Sequence, residues 1–179
     1  MTPVEALRRP RHNSPVDDET VDVTQWLDGM AAVLRGAREA AVPCGGCTAC
    51  CEASQFVPIE PDEFRTLAAV PKALRFPAPG KPRGHVVLGY DREGRCPMLG
   101  PEGCTIYDAR PRACRAYDCR IFAAAGVKPA VRAPAWRFTG DASLLDELRA
   151  AVPVDGMPND RAAAAVVTVS QRRGRFAAP

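Results

Sequence analysis

Cys44-Gly45-Gly46-Cys47-Thr48-Ala49-Cys50-Cys51 decides how the rest of the chain is read, because it gathers half of the 8 cysteines into one short run. The remaining cysteines, Cys96, Cys104, Cys114 and Cys119, form a second run, so none lies outside the two. Two cysteines separated by two residues turn both sulfurs toward one ion when the chain between them turns tightly. Gly45-Gly46 permits that turn without side-chain crowding. Cys47 and Cys50 repeat the spacing. Cys51 then adds a sulfur beside Cys50, and because adjacent side chains diverge, the pair suits a polynuclear cluster or two separate sites better than one tetrahedral ion.

In the second run a Gly100-Pro101-Glu102-Gly103 turn lies between Cys96-Pro97-Met98-Leu99 and Cys104. Two short strands joined by that turn bring Cys96 and Cys104 together. Arg110, Arg112 and Arg115 are interleaved with the sulfurs, where guanidinium groups offset the negative charge of several thiolates. Arg110, Arg115, Tyr107 and Tyr117 are therefore read as neighbours of the centre and all eight cysteines, Cys44, Cys47, Cys50, Cys51, Cys96, Cys104, Cys114 and Cys119, as its ligands. Asp108 and Asp118 are expected to cap or to pair with those arginines. His85, alone at the head of a strand, is read as no ligand, Trp26 as core, and no residue as catalytic.

The order Cys-x2-Cys-x2-Cys-Cys, Cys-Pro-x-Leu, Cys-x-Ile-Tyr-x-x-Arg-Pro-x-x-Cys-Arg-x-Tyr, running from Cys44 through Tyr117 and on to Cys119, resembles the YkgJ-type cysteine cluster family, a zinc- or iron-chelating CxxCxxCC domain. The resemblance implies a metal centre built from these cysteines, Cys119 standing where relatives vary. It extends more distantly to bacterial flagellin lysine methylases that carry an iron–sulfur cluster. This chain is short for such an enzyme and has no cofactor-binding glycine motif.

The sequence has no apolar run long enough for a signal peptide or a membrane span, and Lys+Arg 24 against Asp+Glu 21 gives a net charge of +3, too balanced to point to nucleic acid. A cytoplasmic setting is expected, in which thiols stay reduced and clustered cysteines bind metal instead of forming disulfides. The cofactor read from this is an iron–sulfur cluster or iron, with zinc as the alternative. The function is metal binding through thiolates, with redox or electron transfer to a protein partner. A zinc-stabilised interaction module without catalysis and a cluster-dependent modification enzyme or oxidoreductase component are the other readings.

With 18 prolines and 14 glycines in 179 residues, the expected fold is a small, loop-rich α+β domain organised around the metal centre, with a short hairpin and several short helices. Residues 1–22 read as disordered, 23–139 as the cysteine-cluster domain and 140–179 as a helical extension. Trp26, Leu27, Met30, Val33 and Leu34 recur at helical spacing, predicting a helix from Val23, capped by Thr24, to about Ala41. Pro61-Asp62-Glu63 predicts a helix start, with Phe64, Leu67, Ala68 and Leu74 facing the core. Residues 77–84 read as a loop, His85–Tyr90 as a strand and Asp91-Arg92-Glu93-Gly94 as a turn into the second cysteine run, with a hairpin expected there. Ser143–Val152 reads as a helix capped by Ser143, residues 162–169 as either helix or strand, and residues 171–175 as a solvated basic tail.

Overall fold

The structure is a computed structural model describing residues 20–42, 47–129 and 135–175. Expectations for residues 1–19 and for Cys44 therefore lie outside the described residues. The architecture is α+β, as the composition predicts.

The chain enters through strand β1 (Thr20–Asp22), although this stretch reads as part of a disordered segment. Its Val21 is half-buried against the helical core, and the strand pairs in parallel with a distant one, which gives it a reason to be ordered. Helix α1 (Val23–Leu34) comes next, with Asp22 and not Thr24 as its cap: the Asp22 carboxylate accepts from Gln25 N at 2.8 Å. The helix stops short of Ala41 because Gly36, at φ 72, turns the chain back, its N–H donating to Val33 O while Ala37 N donates to Ala32 O.

Beyond the first cysteine run, β2 (Val57–Ile59) leads to α2 (Phe64–Ala69), then β3 (Arg75–Pro77) and β4 (Val86–Leu88). The sheet order is β2-β4-β3, antiparallel throughout, with Val57 and Arg75 both opposite Leu88. The predicted strand at His85–Tyr90 is thus a central one, and its hairpin partner is β3, which precedes it. The Asp91–Gly94 turn leads into the second cysteine run, as its sequence predicts, but joins no hairpin with this strand. Phe64 is 75% exposed, contrary to expectation. The inner face of α2 is spent on Glu63 and Thr66, both buried, so Phe64 falls on the opposite side.

The second cysteine run begins with β5 (Leu99–Gly100) and β6 (Gly103–Cys104), an antiparallel pair in which Leu99 faces Cys104, as the turn sequence predicts. Short helices α3 (Arg112–Ala116) and α4 (Arg120–Ala125) come after it, the second ended by Gly126 at φ 65. Strand β7 (Arg137–Thr139) pairs with β1, then α5 (Ala142–Ala150) and α6 (Pro158–Arg172) close the chain. Asp141, not Ser143, caps α5, accepting from Ser143 N at 3.0 Å and from the Ser143 hydroxyl. The ambiguous stretch 162–169 is helical, with Ala162, Ala165, Val166 and Val169 fully buried along one face.

Two cores result. The larger joins α1, α4, α5 and α6 through Trp26, Leu27, Met30, Phe122, Leu144, Leu148 and Val166. The smaller lies under the β2-β4-β3 sheet and consists of Ile59, Val70 and Leu88, with Cys96, Met98 and Ile106 packed against it. Of the described cysteines, Cys96 packs against the smaller core and Cys119 against the larger. The basic tail is docked: Arg173 pairs with Glu147 and Asp141, and Arg175 with Asp28 at 3.1 Å.

Candidate metal centre

Three anchors bring the cysteine runs together. The first is backbone pairing, in which Cys96 N donates to Cys51 O at 2.6 Å and Ser54 N to Gly94 O at 2.9 Å. A 3-10 turn at Ala49–Glu52 presents Cys50 and Cys51, with Cys51 N donating to Thr48 O and the Thr48 hydroxyl to Glu52. The second anchor is α2. Buried Glu63 accepts from Arg112 N, opening α3, and the Thr66 hydroxyl donates to Arg110 O at 3.3 Å, so the turn leading to Cys114 is held from below. The third holds the approach to Cys44: Ala40 N donates to Arg115 O, Arg115 pairs with Glu39 at 3.1 Å, and Arg120 donates to Ala41 O.

The seven described cysteines are all free thiols. Their electrostatic neighbours define the grouping. Cys51 lies in the fields of Cys50, Cys96 and Cys104, and Cys114 in those of Cys50, Cys96 and Cys104. Cys119 lies instead in the fields of Cys47 and Cys50, with Asp118 beside it. Five sulfurs from the two runs thus share one neighbourhood, and Cys47 and Cys119 flank it. Among the described residues, which do not include Cys44, no group of three or more Cys, His, Asp or Glu side chains is arranged to hold one ion as it stands.

The thiols differ sharply in acidity. A hydrogen bond from the Cys51 thiol, helped by backbone N–H groups and the Arg110 charge, lowers Cys50 to about 6 against the burial that opposes it. Cys51 is pushed far up by that same bond, then by burial and the surrounding sulfurs. Burial, and after it the fields of Cys50, Cys96 and Cys104, pushes Cys114 up to about 12. Cys96 is raised chiefly by burial.

Arg110 stacks on the Tyr107 ring, its guanidinium carbon 3.6 Å from the centroid. Its Nε, the Nε of Arg115 and the hydroxyl of Tyr117 are buried without a hydrogen-bond partner among the described residues, the Gln55 side chain approaching that hydroxyl without a well-formed bond. Orphaned donors of this kind beside a group of thiols suit an anionic centre. Tyr107 is 45% exposed and serves as the platform for Arg110.

Other expectations change. Asp118 pairs with Arg120 at 2.7 Å and accepts from Trp26 Nε1 at 3.1 Å, so it ties α1 to the second run and meets none of the interleaved arginines. Arg120, two residues on, takes the bond because the same carboxylate is held at the Trp26 indole of the helical core. Arg112 turns outward to Asp62 at 2.9 Å. His85 Nε2 sits 3.0 Å from Glu60 Oε2. Sequence reasoning missed Glu63, Thr66, Glu39 and Trp136. Trp136 Nε1 donates to Cys119 Sγ at 3.2 Å. Only the scarcity of tryptophan in the chain hinted at a special position, and nothing in the sequence linked it to a cysteine.

Free cysteines from two distant runs, gathered with the Arg110 charge beside Cys50 and Cys114, are the mark of a thiolate metal-binding domain. Residues 43–131, which hold every cysteine, match the profile of the family described as CxxCxxCC, putative zinc- or iron-chelating domain. No curated protein and no solved structure matched the chain. Among the described residues no helix is long and apolar enough to cross a membrane.

Proposed function

We propose that this chelating domain carries an iron–sulfur cluster or closely related iron site and takes part in electron transfer or redox sensing with a protein partner. The observation that carries this reading is the juxtaposition of Cys50 and Cys51, adjacent in sequence and each setting the acidity of the other, with Cys51 in the fields of Cys96 and Cys104 and Cys96 in that of Cys50. Sulfurs so crowded suit several metal atoms better than one. In this reading Cys50, Cys51, Cys96, Cys104 and Cys114 supply the main ligands, and Cys44, Cys47 and Cys119 complete the set. When bound, the group supplies a site that accepts and releases one electron.

The protein's own residues have separate tasks. Arg110 stands in the fields of Cys50 and Cys114 with an unused N–H donor and balances their charge, and Arg115, paired with Glu39, offers a second buried N–H. Tyr107 fixes Arg110, and the Tyr117 hydroxyl adds a donor. Glu63 and Thr66 hold the Arg110–Arg112 turn so that Cys114 faces the other sulfurs. Free thiols throughout the described set accord with a reducing, cytoplasmic setting.

The test is anaerobic purification, then absorption spectroscopy and analysis of metal and acid-labile sulfide. Brown protein with stoichiometric iron and sulfide supports the reading; colourless protein holding zinc alone replaces it with the structural alternative, since tetrahedral thiolates suit zinc equally. Cys47→Ser and Cys50→Ser are each expected to lose metal and to lower stability, because metal affinity is linked to folding. Undiminished metal in both contradicts the ligand assignment.

A further inference from the structure

Cys119 differs from the other described cysteines in its surroundings. Its neighbours are Cys47 and Cys50, and its Sγ receives the indole N–H of Trp136 at 3.2 Å. Trp136 is only 8% exposed, and an indole nitrogen is a donor only, so once buried it needs an acceptor. The sulfur is that acceptor. The ring is fixed on its other side by Arg120, whose guanidinium carbon lies 5.9 Å from the ring centroid and is itself held by buried Asp118. A continuous chain therefore runs Trp26, Asp118, Arg120, Trp136, Cys119, from the helical core to the sulfurs. Trp136 lies beyond the segment that matches the family, so the donor is contributed by the part of the chain outside the chelating domain.

We propose that Trp136 is a positioning residue for the metal centre: its indole N–H donates to the Cys119 sulfur and sets the reduction potential and metal hold on the Cys47–Cys119 side. The hold on the metal rests on the reading of Cys119 as a ligand, and the potential rests in addition on the centre being iron. Reduction moves one electron from an added one-electron donor into the centre, without transfer of a proton, and spreads negative charge onto the ligating sulfurs. An N–H directed at such a sulfur is attracted more strongly after reduction than before, so it raises the potential.

The experiment uses the full chain, purified anaerobically, as wild type, Trp136→Phe, Cys119→Ser and the double variant, with iron and labile sulfide measured and the midpoint tracked in a dye-mediated titration with dithionite. Trp136→Phe is expected to retain the iron while its ratio of reduced to oxidised centres at fixed potential falls roughly tenfold, about 59 mV for a one-electron couple. In the Cys119→Ser background the same substitution is expected to shift nothing further. Benzothienylalanine at position 136, which exchanges N–H for sulfur at nearly constant shape, gives the same result without a packing defect. An unchanged potential in both position-136 variants, or an equal shift in the Cys119→Ser background, overturns the proposal, as does a Cys119→Ser protein with wild-type iron, spectrum and potential. Zinc alone in the wild type defeats the iron reading but not this one. Release of zinc to a chelator is then the measure, expected to rise about tenfold in Trp136→Phe and not in the double variant. Protein that purifies with neither metal defeats both.

Discussion

The hydrogen bond from the Cys51 thiol to the Cys50 sulfur gives two adjacent and chemically identical residues opposite acidities. Cys50 is lowered to about 6 from 9.0, and Cys51 is raised. In metal-free, reduced protein, alkylation by iodoacetamide at pH 7 with mass-spectrometric readout is expected to label Cys50 first and Cys51 and Cys114 last, with the Cys50 rate rising through a midpoint near pH 6. Stability tracks the same values with opposite signs. Cys50 is more acidic folded than unfolded, so its contribution is present above about pH 9 and is lost as pH falls through 6. Cys114, raised to about 12, contributes fully below 9 and loses its contribution as pH rises toward 12. Thermal melts of the metal-free protein are expected to decline above pH 9, and Cys114→Ser to flatten that decline. An alkaline limb of equal slope in the variant would remove Cys114 as its cause.

Among the elements, the join between the cysteine runs is the most demanding. Cys51–Ser54 runs beside Gly94–Cys96, and Gly94 has φ +80 with Ser54 Oγ directly where a Cβ would stand. Gly94→Ala therefore meets both backbone strain and the Ser54 hydroxyl, and is expected to cost at least about 1–2 kcal/mol. Because the same segment carries Cys96, metal content should fall with it. Urea melts with and without metal separate the two effects, and an unchanged midpoint in both would show that this turn does not align the runs. The sequence announced the element, since Asp91-Arg92-Glu93-Gly94 reads as a turn into the second cysteine run, but not that it lies beside Cys51–Ser54. A turn is a local event of a few residues, whereas the pairing partner of a strand is chosen by apolar burial far along the chain. For that reason β4 found β3 and β2, and the Gly94 turn was left to deliver Cys96 to Cys51. Phe64 was misread for a similar reason: its periodicity is compatible with burial, but Glu63 and Thr66 reach Arg112 and Arg110 and claim the inner face of the helix.

Across the whole molecule, the helices after residue 139 are part of the main core. Leu144, Leu148, Ala162, Val166 and Val169 are each at 0% exposure and pack with α1 and α4. Full burial of a Leu or Val side chain is worth about 1.5–3 kcal/mol, and domains have a net stability of only about 5–15 kcal/mol. A chain ending at residue 139 is thus expected to lack cooperative unfolding and native far-UV circular dichroism; a cooperative melt from it would show a self-sufficient cysteine domain. Removing the metal by chelation should act differently. Among the described residues, the site members packed against the helical core are Cys119 and Tyr117, so chelated protein is expected to keep its helical signal and melt at a lower temperature, while amides near Cys96 and Cys104 exchange faster.

The linear chain was sufficient for the thiolate chemistry, the α+β class, the Leu99–Cys104 hairpin and most helices, because ligand type, turn residues and helical period are encoded within a few neighbouring positions. Tertiary structure alone decided which sulfurs share a field, that Asp118 serves Trp26 and Arg120, and that Trp136 donates to Cys119. These depend on contacts between residues as much as 92 positions apart, which only the packing of two cores around the cysteines brings within bonding distance.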